Sequence, residues 1–129
     1  MARFDIKIDP FLSVPLLLIG ATQSRSWAEI GDDEIVVKFG IGEVRLPLAQ
    51  VASVEPHRWP LLYGIGHRIG YGGMAFVGST EGVVKIELKK PVPMDILFGI
   101  MKRFPRFFVS LQDPQGFASA VHERVAKQG

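Results

Sequence analysis

Basic and aromatic side chains that could bind an anionic or flat ligand are interleaved along the glycine-rich stretch 57–73. Guanidinium groups bind carboxylates and phosphates through paired hydrogen bonds, and aromatic faces stack on flat groups or attract cations. Aromatic residues in a long loop also serve simply to pack the loop onto its domain, and both interpretations stay open. The candidate binding residues of this stretch are Arg58, Trp59, Tyr63, His67, Arg68 and Tyr71.

A second cationic and aromatic cluster occupies residues 102–108 and adds Lys102, Arg103 and Arg106 to the candidate set. Such a cluster could contact a partner protein or an anionic membrane surface. Adsorption to lipid would be weak, at about 1 kcal/mol per basic residue near the surface. The alternative is a solvated strand edge protected by its charges.

The sequence contains only incomplete forms of three motifs that would indicate catalysis or a cofactor. The stretch 64–70 spaces its glycines roughly as a dinucleotide-binding loop does, but Tyr71-Gly-Gly follows it and opposes the helix that such a loop requires. His57, His67 and His122 have no second metal ligand at helical or hairpin spacing, and no serine has a glycine-flanked elbow. We therefore predict no cofactor, no metal and no enzymatic activity. An enzyme would require the histidines and carboxylates to converge in one pocket.

Composition predicts one globular domain spanning residues 1–129. Hydrophobic residues make up 47% of the chain, enough for a core, and the absence of cysteine fits a reducing compartment, so we expect a cytoplasmic protein. The apolar run 11–21 is interrupted by Pro15 and is shorter than the roughly 20 residues that span a bilayer. The mild net charge of +2 makes nucleic acid an unlikely partner.

Charge is distributed unevenly along the chain. Residues 1–56 carry five basic and eight acidic side chains, a net of −3, whereas residues 57–106 carry eight basic and three acidic ones, a net of +5. The middle of the chain is therefore the part that would attract an anionic partner.

Period-two alternation of apolar residues predicts a mainly β fold. The N-terminal part, 1–24, reads as a strand followed by an arm, and segments 26–30 and 34–39 read as a hairpin. Further strands are expected at 44–48 and 51–55, with Pro47 marking an edge or an end.

The second half of the chain has a less regular pattern of predicted strands. Residues 57–73 read as a long loop rich in glycine and aromatics, part of which could pair as a strand. Segments 74–78 and 83–88 are expected to form a hairpin around the turn 79–82. The sequence Lys-Lys-Pro at 89–91 should end that strand, the segment 94–104 could form a turn of helix, and a strand should resume at 106–111.

A C-terminal helix is predicted at about 113–127. Asp113 supplies an N-cap oxygen, and Pro114 suits the first helical position because its missing amide hydrogen would have no partner there. Phe117, Val121 and Val125 then follow at helical spacing and form a narrow apolar stripe. We expect this stripe to pack on the open end of a curled sheet.

The order of strands followed by one capping helix resembles the pleckstrin-homology-like barrel, especially its small uncharacterised bacterial members. The resemblance is carried by the glycine-rich stretch 72–88 and by Arg106-Phe-Phe-Val-Ser-Leu-Gln-Asp-Pro-Gln-Gly-Phe117, a strand, Asp-Pro and helix ending. It covers most of residues 25–127 and leaves the N-terminal arm and 57–73 without a counterpart. It implies a curled sheet or partly open barrel that binds a ligand, lipid or peptide.

These observations favour a non-catalytic binding or assembly module. Its partner would be another protein or a second copy, bound through an exposed sheet edge and the basic, aromatic loop. The alternative is a β-barrel that holds a small apolar or anionic ligand in its interior or at its mouth.

Overall fold

The structure is a computed structural model and describes residues 2–8, 25–60, 63–64, 66–97 and 99–128. It is mainly β, with 63% of residues in strands and one C-terminal helix, as the sequence predicts. The elements are β1 (Ala2–Asp5), β2 (Ser26–Ile30), β3 (Glu34–Phe39), β4 (Gly42–Pro47), a short 3-10 helix (Leu48–Gln50), β5 (Val51–Pro56), β6 (Gly66–Gly70), β7 (Gly73–Val77), β8 (Val83–Leu97), β9 (Ile100–Ser110) and α1 (Pro114–Gln128).

The first sheet is an antiparallel meander in the order β1-β2-β3-β4. Its strands alternate buried and wetter side chains, because one face packs on the core and the other meets solvent. The predicted hairpin of β2 and β3 is confirmed, and Pro47 ends the edge strand β4 as expected. In the predicted N-terminal strand and arm, β1 is confirmed, whereas residues 9–24 lie outside the described residues.

The second sheet has the order β5-β8-β9-β7-β6, which is not a meander. The predicted hairpin of segments 74–78 and 83–88 is wrong, because β9 lies between β7 and β8 and pairs with β7 in parallel. The turn 79–82 instead carries the chain past the end of β9. β7 is buried along its whole length, as expected of an internal strand in a parallel pair.

The β8–β9 hairpin corrects two further predictions. Lys89-Lys90-Pro91 does not end the strand, and 94–104 contains no described helix, because β8 continues to Leu97 and β9 begins at Ile100. β5 pairs with β8 only as far as Leu88. Beyond that point one edge of β8 has no partner strand among the described residues, so proline's missing amide hydrogen costs no ladder hydrogen bond there.

One buried cluster joins both sheets and the helix. Phe117 and Val121 of α1 are fully buried in it, and the Phe117 ring meets that of Phe4 edge-on at 5.4 Å between centroids. The helix begins as predicted: the amide of Gly116 donates to Oδ1 of Asp113 at 3.0 Å. The two sheets are not closed into a barrel, and the meander order behind the pleckstrin-homology-like resemblance holds only for the first sheet.

Candidate binding surface at the β6 edge

One residue of the loop that precedes β6, Trp59, packs on the outer face of the second sheet. Trp59 is only 2% exposed and forms a second buried cluster with Ala75, Val77, Val83 and Phe108. Its indole nitrogen donates to the carbonyl oxygen of the loop's Gly64 at 2.8 Å. Trp59, predicted to bind a ligand, therefore packs the loop onto the sheet.

Two exposed tyrosine rings lie against Trp59, Tyr63 from the loop and Tyr71 from the turn that follows β6. Tyr63 and Tyr71 stack at 4.7 Å with a 17° angle between their planes, and both remain about 40% exposed. His57 approaches the Tyr71 ring at 4.6 Å and the Phe108 ring at 5.0 Å. The structure thus brings Tyr63 and Tyr71 together with Trp59 into one aromatic surface, with Arg58 exposed beside it.

Part of the stretch 57–73 does pair as a strand, the possibility that the sequence left open, because β6 forms a hairpin with β7. Gly70 pairs with Gly73 across a two-residue turn. Both turn residues have positive φ, +52° at Tyr71 and +71° at Gly72, as a type I′ turn requires. Tyrosine rarely adopts this conformation, and here its ring contacts and a hydrogen bond to its carbonyl oxygen hold it.

That hydrogen bond comes from Arg106, whose guanidinium makes three hydrogen bonds within the fold. It donates to the Tyr71 carbonyl at 2.9 Å and to both carboxylate oxygens of Glu87 at 2.9 and 3.1 Å. The Arg106 hydrogen bonds lower the pKa of Glu87. The cleft of about 310 Å³ beside them also contains Lys85, which pairs with Glu55. Its cations are therefore balanced by carboxylates.

The two ends of the second sheet differ in what lies beside them. At the β5 end, α1 packs alongside, and Nε2 of His122 accepts a hydrogen bond from the amide of Val54 at 3.3 Å. At the β6 end, no strand in the described part of the chain pairs with the outer side of β6. An unpaired edge presents amide and carbonyl groups that another chain can bind.

A cleft of about 290 Å³ lies along this edge. Its lining residues are Tyr63, His67, Arg68, Ile69, Met74 and Ile96. His67 and Ile69 point to the inner face, since their partners on β7 belong to the main core, whereas Arg68 is opposite Ala75 of the outer cluster. Because the lining comes from both faces of β6, the cleft follows the open edge itself.

His67 ties this edge strand to the first sheet. Its Nε2 lies 2.9 Å from the carbonyl oxygen of Phe39, to which it donates, and its ring packs on Phe39 and Phe76. A side chain at Gly42 would collide with the imidazole, which explains the glycine. Partial burial lowers the pKa of His67, with a smaller opposing effect from the Phe39 hydrogen bond.

We expect the protein to lose stability as the pH falls below about 6.5, the usual pKa of an unfolded histidine. His67 takes up a proton more readily in the unfolded chain than in the folded one, so its contribution is complete above that pH and is lost on acidification towards its lowered folded pKa. Urea unfolding at pH 7.5 and 5.0 measures the change. His67→Gln, which keeps a donor but does not titrate, should show a smaller loss, and an equal loss would contradict this assignment.

Lys102 and Arg103 lie on the projecting β8–β9 hairpin and do not join the aromatic surface. Both are exposed, and the Lys102 ammonium lies 5.6 Å from the centre of the Phe104 ring. Ile100 and Met101 beside them are 63% and 56% exposed. The same hairpin contributes Ile96 to the β6 cleft, so it forms one wall of that site.

Three apolar residues of the cleft were missed by sequence reasoning: Ile69, Met74 and Ile96. Ile69 is 55% exposed on an edge strand, which period-two alternation with His67 could have indicated. No sequence signal places Ile96 near it, because that contact depends on the order of strands in the second sheet.

Within the described residues, no three histidine, aspartate or glutamate side chains come together as a metal site requires. No helix among them has the length and hydrophobicity needed to cross a bilayer. Comparisons with protein-family models, curated proteins and solved structures found no match. The binding roles of the nine candidate residues stay predictions, and so does the pleckstrin-homology-like resemblance.

Proposed function

We propose that this protein is a non-catalytic binding module that takes up an extended segment of another protein by strand addition at β6. The observation that carries the proposal is the coincidence of a strand edge that no described strand pairs with and a cleft lined from both faces of that strand. In strand addition, main-chain hydrogen bonds supply affinity, and pockets for alternate side chains supply specificity. Along β6, edge main-chain groups and a cleft for side chains occur together.

The surroundings of β6 suit a binding edge. Trp59 and the hydrogen bond to Gly64 fix the loop on one side, and the β8–β9 hairpin forms the wall on the other. A partner would therefore meet a preformed site, which reduces the entropic cost of binding. The alternative of a ligand inside a barrel has less support, since the two sheets are not closed into a barrel and share one buried cluster of described side chains.

A random decapeptide library displayed on phage and selected against the immobilised protein tests the proposal. Selected peptides should bind Ile69→Lys at least about ten-fold more weakly, because a lysine ammonium at this position has to be desolvated when a strand covers it. The measurement is fluorescence anisotropy of labelled synthetic peptides.

Ala52→Lys is the matched control, since Ala52 is also exposed and lies on β5, at the opposite edge of the second sheet from β6. It should bind the peptides as wild type does. Selection of no peptide, or of peptides that bind both lysine variants like wild type, would refute strand addition at β6.

A further inference from the structure

The chemistry of the partner segment follows from how β6 presents its side chains. Arg68 is exposed on the outer face, whereas His67 and Ile69 on either side of it face inward. A strand added to β6 would alternate in the same way, because opposite residues of neighbouring strands share a face. The residue opposite Arg68 would thus lie on the outer face, and its two neighbours would enter the inner part of the cleft.

The inner part of the cleft favours apolar side chains. Ile69, Met74 and Ile96 supply aliphatic and thioether surface. His67 also faces this side, and partial burial disfavours its charged form. A charged group placed against these apolar side chains would lose hydration, which is costly, because the charge of Arg68 lies on the other face of β6.

The outer face favours an acid. Arg68 contributes to the net charge of +5 carried by residues 57–106, and opposite charges directly across two strands stabilise their pairing. A second copy of this chain fits the edge poorly for the same reason. If two β6 strands paired antiparallel about Arg68, the two arginines would lie opposite each other, and like charges in that position are destabilising.

We infer that the segment bound at β6 is an acidic peptide in which a glutamate or aspartate opposite Arg68 is flanked on both sides by large apolar residues. This inference rests on strand addition at β6 and names the partner chemistry of that same site. Its two elements are independent: the carboxylate pairs with Arg68, and the apolar neighbours fill the cleft beside Ile69 and Ile96.

Two acetylated and amidated peptides test the inference, Thr-Val-Thr-Leu-Glu-Leu-Thr-Val-Thr and the same sequence with lysine in place of glutamate. Wild type should bind the glutamate peptide about five-fold more tightly than the lysine peptide, as one cross-strand charge pair predicts. Arg68→Glu should reverse that preference. Fluorescence anisotropy at physiological ionic strength provides the dissociation constants.

Lys90→Glu is the matched control, because Lys90 is another exposed cation, lies on β8 and does not line the β6 cleft. It changes the net charge equally and should keep the wild-type preference. If Ile69→Lys weakens both peptides but Arg68→Glu changes no preference, the acidic specificity is wrong while strand addition stands. If library-selected peptides bind at β6 and neither designed peptide does, the inferred chemistry is also wrong.

Discussion

Replacing Trp59 with alanine should lower the free energy of unfolding by about 3 to 5 kcal/mol, the range for truncating a large buried aromatic residue. The ring is 2% exposed and fills the space between the loop and the outer face of the second sheet. Its loss also removes the hydrogen bond to Gly64. Because this loop carries Tyr63 to the β6 cleft, the variant should weaken peptide binding as well. Urea denaturation gives the stability, and anisotropy gives the binding.

Trp59→Phe separates packing from hydrogen bonding. It keeps a buried ring and loses the indole donor, so we expect a smaller cost of about 1 to 2 kcal/mol. If Trp59→Ala cost less than about 1 kcal/mol, the loop would not be held on the sheet by this residue. The claim that Trp59 holds the loop, and with it Tyr63, at the β6 cleft would then be wrong.

Replacing Gly82 with alanine should lower the free energy of unfolding by about 2 to 5 kcal/mol, the combined cost of a left-handed alanine and of a collision in a packed region. Gly82 has a φ of +71°, and an added Cβ would collide with the carbonyl oxygen of Leu111. This oxygen belongs to the backbone and cannot rotate away as a side chain could. The amide of Leu111 also donates a hydrogen bond to the carbonyl oxygen of Gly82 at 2.9 Å. Urea denaturation measures the loss.

Gly99→Ala is the control that separates the cost of the collision from the cost of the backbone conformation. Gly99 has a similar φ of +83°, but an added Cβ there would meet no atom within 4 Å. This variant should cost only about 1 to 2 kcal/mol, the cost of the backbone conformation alone. Equal losses for the two alanines would contradict the close approach of Gly82 to the end of β9.

The first sheet and the helix could be predicted from sequence because their information is local. The β2–β3 hairpin joins strands that are neighbours in the chain, and alternation fixes which face is buried. The helix start depends on Asp113 and Pro114 alone. Signals of this kind do not require knowledge of any distant partner.

The second sheet could not be predicted because its pairing is not local. The turn 79–82 has the residues of a hairpin, yet its strands are separated by β9, which comes later in the chain. The sequence allowed a strand within 57–73 but did not locate the β6–β7 hairpin, for another reason. Its turn places Tyr71 where asparagine, aspartate or glycine is usual, and glycines at both ends of β6 weaken the strand signal.

The sequence indicated which residues occur near the candidate site better than it indicated how they are arranged. Tyr63, His67 and Arg68 do line the β6 cleft, whereas Trp59 lies beneath the loop and Arg106 is engaged with Glu87 and Tyr71. A sequence shows that basic and aromatic residues are close in the chain. Which of them face solvent depends on the order of the strands beneath them.

Residue-resolved amide hydrogen exchange of the protein alone tests the central claim, that β6 is an open edge. Alternate amides of an edge strand point away from its partner, so some amides within Gly66–Gly70 should exchange at least about 100-fold faster than those of β7, which lies between two strands. Uniformly slow exchange along β6, equal to that of β7, would show that the edge is already covered and would contradict strand addition there.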